Sequence, residues 1–292
     1  MKLRHIILIA SLLLLLAIPC TAQKGKNNPK RTLPQLYFES FAPPAGREVF
    51  YYIKGSAYSY IVGQRPQKLF GVEGFNVRRF IPTPEKDGYF LATREVVFYT
   101  DPKTDEIIYE WDNPFTKEKN EVFHIANDPV NSRFRIAGGK YSFTSMDGKQ
   151  MRGEIGAPQE WDDFYVWHAD AFPFYPLPGW EKNYTASELF DFYIPKEDLH
   201  KPGPPRVMTS WTRFGPWLPW LKMDKHEGNM VYHARSRRFE KWEMLPERTR
   251  QAVMDKFPLY RHAPDKVDIN QVNETSWTYY NRIMQERQKQ KP

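Results

Sequence analysis

Glu95-Val-Val-Phe-Tyr-Thr100, Asp101-Pro-Lys-Thr-Asp105 and Glu106-Ile-Ile-Tyr-Glu-Trp111 follow one another without a gap. In the third segment Ile107, Tyr109 and Trp111 fall on one side and Glu106, Glu110 and Asp112 on the other. Successive side chains of a strand point to opposite faces, so this alternation predicts a half-buried strand. The intervening Asp-Pro-Lys-Thr-Asp cluster is turn chemistry, because Pro presets φ and Asp side chains bond their own backbone. Asp112-Asn-Pro-Phe-Thr-Lys117 supplies a second turn, and Asn120-Glu-Val-Phe-His-Ile-Ala126 a further strand closed by Asn127-Asp-Pro129. Three strands joined by short turns predict an antiparallel meander.

Outward from this stretch the same period continues. Strands are expected over 48–54, 57–62, 89–92, 141–145, 151–155, 164–170, 186–193, 206–212 and 230–235, with Asp147-Gly148 as a hairpin dipeptide. That is about ten to twelve strands, spaced as in an all-β fold. Helix is expected only near the end. Residues 246–257 start at Pro246 and stop before Pro258, and Asn273 is placed to cap a helix over 274–287. The fold class that follows is mainly β: one domain over 35–284, built as a single antiparallel β-barrel-like or strongly curled sheet. The two C-terminal helices form a small appendage. Closure is the expected answer to the edges that so many strands create.

The ends of the 292-residue chain read differently. Lys2 and Arg4, the apolar run from Ile6 to Ile18, and small residues at Cys20 and Ala22 form a secretory signal over 1–22 cut after Ala22. The run is shorter than the roughly 20 residues a membrane span needs, so no transmembrane segment is expected after cleavage. A lipoprotein processed at Cys20 is the less favoured alternative, because Pro19 precedes the cysteine where a small residue is expected. A secreted or periplasmic location follows. Cutting there removes the only cysteine, so the mature chain has no disulfide.

The formal net charge is +7, but its placement matters more. Lys24, Lys26, Lys30 and Arg31 lie in a basic linker over 23–34 without an acid, and Arg287, Lys289 and Lys291 outnumber Glu286 in a mobile basic tail over 285–292. With Lys2 and Arg4 set aside, the body is close to neutral. A nucleic-acid binder concentrates its positive charge on the folded surface, so no nucleic-acid partner is expected.

Trp111-Asp-Asn-Pro-Phe-Thr116, Phe123-His-Ile-Ala-Asn-Asp-Pro-Val-Asn131, Glu188-Leu-Phe-Asp-Phe192 and Ser210-Trp-Thr-Arg-Phe-Gly-Pro-Trp-Leu-Pro-Trp220 together carry a resemblance. The chain resembles a secreted bacterial family known as domain of unknown function (DUF) 1838, over residues 46–238. The resemblance implies a single, secreted domain. It implies no activity and no site, so the residues must supply those.

Dinucleotide, Walker, zinc-protease, EF-hand and serine-hydrolase signatures are missing, and no cysteine nucleophile survives in the mature chain. His168 and Asp170, two apart, share a strand face at about 7 Å. They are catalytic candidates as base and orienter or as two metal ligands, with His124 or His233 joining from neighbouring strands; no metal is assigned. A satisfied polar pair is the plainer reading of His168 and Asp170, a core histidine of His124, and a solvated side chain of His233. Trp211, Trp217 and Trp220, broken by Pro216 and Pro219, suit the wall or lid of a pocket, with Arg213 as the contact for an acidic group. Phe172-Pro-Phe-Tyr-Pro-Leu-Pro-Gly-Trp180 has the same composition. The competing reading makes the tryptophans a core plug. The expected function is therefore binding of an apolar or aromatic small molecule in a β-barrel pocket, with the cofactor unspecified. A motifless enzyme, acting by proton transfer or with a metal and built on His168 and Asp170 with His124 or His233, is the alternative, and a module docking partners through exposed aromatic loops is a third reading.

Overall fold

A computed structural model describes residues 31–146, 152–175 and 183–290. The signal at 1–22, most of the basic linker, the Asp147-Gly148 dipeptide and residues 176–182 of the second aromatic stretch lie outside the described residues. Helix α1 (Leu33–Phe41) begins where the Thr32 hydroxyl accepts a hydrogen bond from the Gln35 amide at 3.3 Å. Arg31, just before it, is pinned by Glu39 at 2.6 Å and by the carbonyl oxygens of Asp198 and Lys201 at 2.9 and 2.8 Å.

Three long strands follow: β1 (Val49–Tyr60), β2 (Lys68–Pro82) and β3 (Gly88–Thr100), paired antiparallel in sequence order. The short β4 (Glu110–Asp112) and β5 (Lys119–Glu121) pair with each other in a separate two-stranded sheet, and β6 (Ile125–Asn127) returns to pair with β3. Beyond β3 come β7 (Ser132–Ala137), β8 (Lys140–Ser145) and β9 (Arg152–Glu154). The other wing starts with β10 (Gln159–Trp161) and β11 (Phe164–Ala171); β12 (Phe174–Tyr175) and β13 (Tyr184–Thr185) make a second small sheet. It is completed by β14 (Ser187–Pro195), β15 (Met208–Gly215) and β16 (Asn229–Phe239), which pairs back onto β1. Helices α2 (Glu247–Lys256) and α3 (Ser276–Lys289) end the chain. The cap of α3 is Thr275, in a capping box with Thr278, and not Asn273. Among the described residues no helix is long and apolar enough to cross a membrane.

The large sheet corrects the expectation of a barrel. Its path runs β10-β11-β14-β15-β16-β1-β2-β3-β7-β8-β9, with β6 as a branch on β3, and it neither closes nor curls strongly. Closure requires the first and last strands to pair, and here they are open ends. Both end strands are three residues long, which limits unpaired backbone without closure.

The meander is corrected too. Residues 106–111 do not lie alongside β3 as a full strand: a single bridge joins Thr100 to Ile107, after which the chain leaves for the β4–β5 hairpin. Asp101 ends β3 by accepting from the Lys103 and Thr104 amides at 2.8 and 2.9 Å, and Asp105 takes a positive φ of 63°. That tight turn redirects the chain and leaves the place beside β3 to β6 and β7.

Apolar packing covers both faces at the centre of the sheet, so Phe70 through Val77 in β2 are buried without alternation. On the outer face Phe75, Val96 and Phe98 meet Trp242, Val253 and Tyr260 of the C-terminal segment. On the inner face α1 packs Leu36, Phe38 and Phe41 against Phe80, Phe134 and Phe192, while Trp217, Trp220 and Leu221 pack on Phe70 and Tyr99. Gly74 of β2 sits opposite Val97 so closely that a Cβ there would lie 2.1 Å from the Val96 carbonyl oxygen. Gly74→Ala must therefore spread β2 from β3. A loss of about 1–3 kcal/mol is expected by chemical denaturation, the range for overpacking a tight interior.

Candidate functional site

The inner face of the sheet holds a cavity of about 630 Å³. Register explains who lines it. Phe190, Trp211 and Ala234 stand side by side on β14, β15 and β16, and Glu188, Arg213 and Tyr232 form the neighbouring row. Farther across, Tyr51, Asn76, Glu95 and Asn127 form one row on β1, β2, β3 and β6, with Arg78 and Thr93 paired beside it. Trp167 and Phe192 add aromatic wall, Tyr37 and Phe41 of α1 bound one side, and Asn273, Glu274 and Thr275 bound another. Asn273 holds that last segment in place: its amide nitrogen donates to the Asn131 carbonyl at 2.9 Å and its oxygen accepts from the Asn131 amide at 2.6 Å.

The polar groups are concentrated around Glu95. Burial pushes its carboxyl above the usual range, against the pull of the Arg213 and Arg78 guanidiniums and the Asn76 and Asn127 amides. The Asn127 amide donates to it at 3.3 Å. Burial also lowers Arg78 from its ordinary value; its Nε donates to the Asn76 side-chain oxygen at 2.6 Å, and its guanidinium lies 3.9 Å from the Tyr51 ring centroid. Arg213 sits between the Tyr184 and Tyr232 rings and 3.5 Å from Glu188. Among the described residues, Thr93 Oγ1, Asn127 Oδ1, Tyr184 Oη and Trp211 Nε1 are buried polar atoms of this wall without a hydrogen-bond partner. Such atoms are uncommon in folded interiors, and a cluster of them suits a surface that a ligand completes.

The structure divides the residues singled out from sequence. Trp211 and Arg213 line the cavity. Trp217 and Trp220 do not: they are 5% and 4% exposed in the core, with Trp217 Nε1 donating to the His226 carbonyl at 3.2 Å. The proline breaks in this stretch set a short 3-10 turn over Pro219–Leu221 that tucks Trp220 inward.

His168 and Asp170 ride on β11 along the cavity rim, but alternation turns their side chains away from the face on which Trp167 and Ala169 lie. The carboxylate that meets His168 is Asp191 on β14, 2.5 Å from Nδ1, while Gln159 Oε1 lies 2.9 Å from Nε2. Asp191 also accepts from Ser210 at 2.9 Å. A carboxylate orienting an imidazole is half of a nucleophile-activating arrangement. Here the serine bonds the carboxylate and not the ring, so no activated hydroxyl results.

His124 is 5% exposed among the rings of Phe98, Tyr109 and Phe257, and its Nδ1 accepts from the Tyr99 amide at 3.1 Å. Burial lowers its pKa to about 4. His233 is exposed on β16 beside Thr212. Its row runs through Thr212 and Leu189 to Asp170, three strand spacings or about 14 Å. The four candidates are therefore not brought together. Among the described residues no group of three or more His, Cys, Asp or Glu side chains is arranged to hold a metal ion.

Arg78, Glu95, Asn76 and Asn127 were not singled out by the sequence reading. The one available signal was charge inside an apolar run, Arg78 in Phe75–Ile81 and Glu95 before Val-Val-Phe-Tyr, since a charge inside a buried strand must be paired or functional.

No curated protein and no solved structure matches the chain. A family model does match, over residues 46–284, extending the resemblance beyond residue 238 to include α2 and most of α3. The chain belongs to the family described as Protein of unknown function (DUF1838).

Proposed function

We propose that this protein binds an apolar or aromatic small molecule in the inner-face cavity. The observation that carries the reading is the cavity itself: about 630 Å³, walled by Trp167, Phe190 and Trp211 and edged by buried polar groups. Ligand sites are commonly concavities of roughly 300–1,000 Å³ with apolar walls and a few placed polar atoms. The leader-like residues 1–22 support export, so the ligand would be met outside the cytoplasm.

Native mass spectrometry of protein purified from its own source tests the reading by looking for a retained small molecule. Trp211 then serves as reporter and contact. A ligand in the cavity is expected to change tryptophan emission saturably, and Trp211→Ala to weaken binding by more than about 1 kcal/mol, as truncation of a contact residue does. Unchanged affinity in a folded Trp211→Ala protein would remove the cavity from consideration.

A further inference from the structure

Among the described residues, Arg78 lines the cavity with no carboxylate at ion-pair distance, and Glu95 acts on its charge from the adjoining row. Arg213, which also lines the cavity, has Glu188 at 3.5 Å. Arg78 makes no ion pair within 4.0 Å of any described carboxylate. Its Nε is used by Asn76, which fixes the plane of the guanidinium, and Tyr51 and Phe41 lie under it at 3.9 and 5.9 Å from their ring centroids. No described group hydrogen-bonds the two terminal nitrogens, and the residue lines the cavity.

The guanidinium is half-buried and opens into the cavity, where its pair of terminal N–H groups matches the two oxygens of a carboxylate. We propose that the ligand of this cavity is an amphipathic carboxylic acid, with its carboxylate held by Arg78 and its apolar body laid along Trp211, Trp167 and Phe190. This rests on the cavity-binding reading and adds the class of ligand. Glu95, adjacent in the next row, fits a single negative charge. Its buried carboxyl takes up a proton more readily than an ordinary glutamate, so it repels an incoming carboxylate less than a fixed charge would. A doubly charged head such as a phosphate monoester would face one free guanidinium with Glu95 beside it, and is disfavoured.

The test uses matched probes on the full chain: naphthalene-2-carboxylate, its neutral methyl ester and 2-naphthyl phosphate, with decanoate and decanol as an aliphatic pair. Tryptophan fluorescence titration should give the acids at least tenfold tighter binding than the neutral partners. Arg78→Gln should erase that preference, bringing each acid to the affinity of its neutral partner. Should Arg78→Gln fail to fold, Arg78→Lys keeps the charge without the fork and should retain only part of the preference. The acid-over-ester difference in ligand-induced thermal shift on the unaltered protein needs no variant at all. Equal binding of acid and neutral partner would overturn the carboxylate assignment and leave the cavity reading standing. Tightest binding of the phosphate would replace carboxylate by phosphate. Binding of none of the five would end both readings.

Discussion

Trp220→Ala should cost about 3–5 kcal/mol of folding stability, the range for emptying a buried aromatic site. The ring is 4% exposed and packs on Phe70, Tyr99 and Trp111, with centroids 5.6, 5.4 and 6.3 Å away. Its surroundings have little freedom to collapse into the space. The Asn120 side chain donates to the Trp220 carbonyl at 2.6 Å and the Asn113 side chain to the Leu221 carbonyl at 2.9 Å, which ties the turn to the β4–β5 hairpin. Urea denaturation of the variant against the parent measures the loss. The companion substitution is Trp211→Ala, whose main effect falls on ligand affinity. A Trp220→Ala protein as stable as its parent would show that the turn is not part of the core.

Acid should weaken the fold through His124. Its folded pKa of about 4 lies below the unfolded value of about 6.5, because burial disfavours the imidazolium. Between those values the unfolded chain holds a proton that the folded chain does not, so stability rises with pH across that window. The contribution is complete above pH 6.5 and is lost progressively toward pH 4, amounting to about 3 kcal/mol. His124→Gln removes the titration while leaving an oxygen for the Tyr99 amide. The stability difference between parent and variant, followed by denaturant titration from pH 7 to 4, should change with the slope of about one proton. Parallel pH profiles for the two proteins would refute the assignment.

Both residues show what the sequence disclosed and what it withheld. The β character was legible because turn chemistry at Asp101–Asp105 and alternation at 106–111 act within a few residues. The path of the sheet was not, since nothing local says that residues 106–111 leave β3 to form a separate hairpin with 119–121. The longest strand, β2, went unrecognised for a physical reason. Gly71, Glu73, Gly74, Asn76 and Arg78 break its apolar pattern, and each is there to meet a neighbour that only tertiary structure supplies. Gly74 makes room for β3, Glu73 receives Thr249 at 2.6 Å, and Asn76 and Arg78 furnish the cavity. Arg213 and Trp211 were recognisable from composition, yet Trp217 and Trp220 in the same stretch face the core, a distinction set by one 3-10 turn. The histidines were visible as residue types, but cross-strand register gave His168 to Asp191 and not to Asp170.

The pairing of β1 with β16 governs how the chain can acquire this structure. Tyr60 meets Asn229, so the contact joins segments roughly 170 residues apart, and the entropy of closing that loop is spent before the contact stabilises anything. The hairpin of β1 with β2 can assemble early, whereas the opposite edge of β1 stays bare until the chain has been made nearly to its end. A half-finished polypeptide therefore presents twelve residues of open strand edge carrying four tyrosines, a template for unwanted pairing with other chains. Late completion of the sheet is built into the topology.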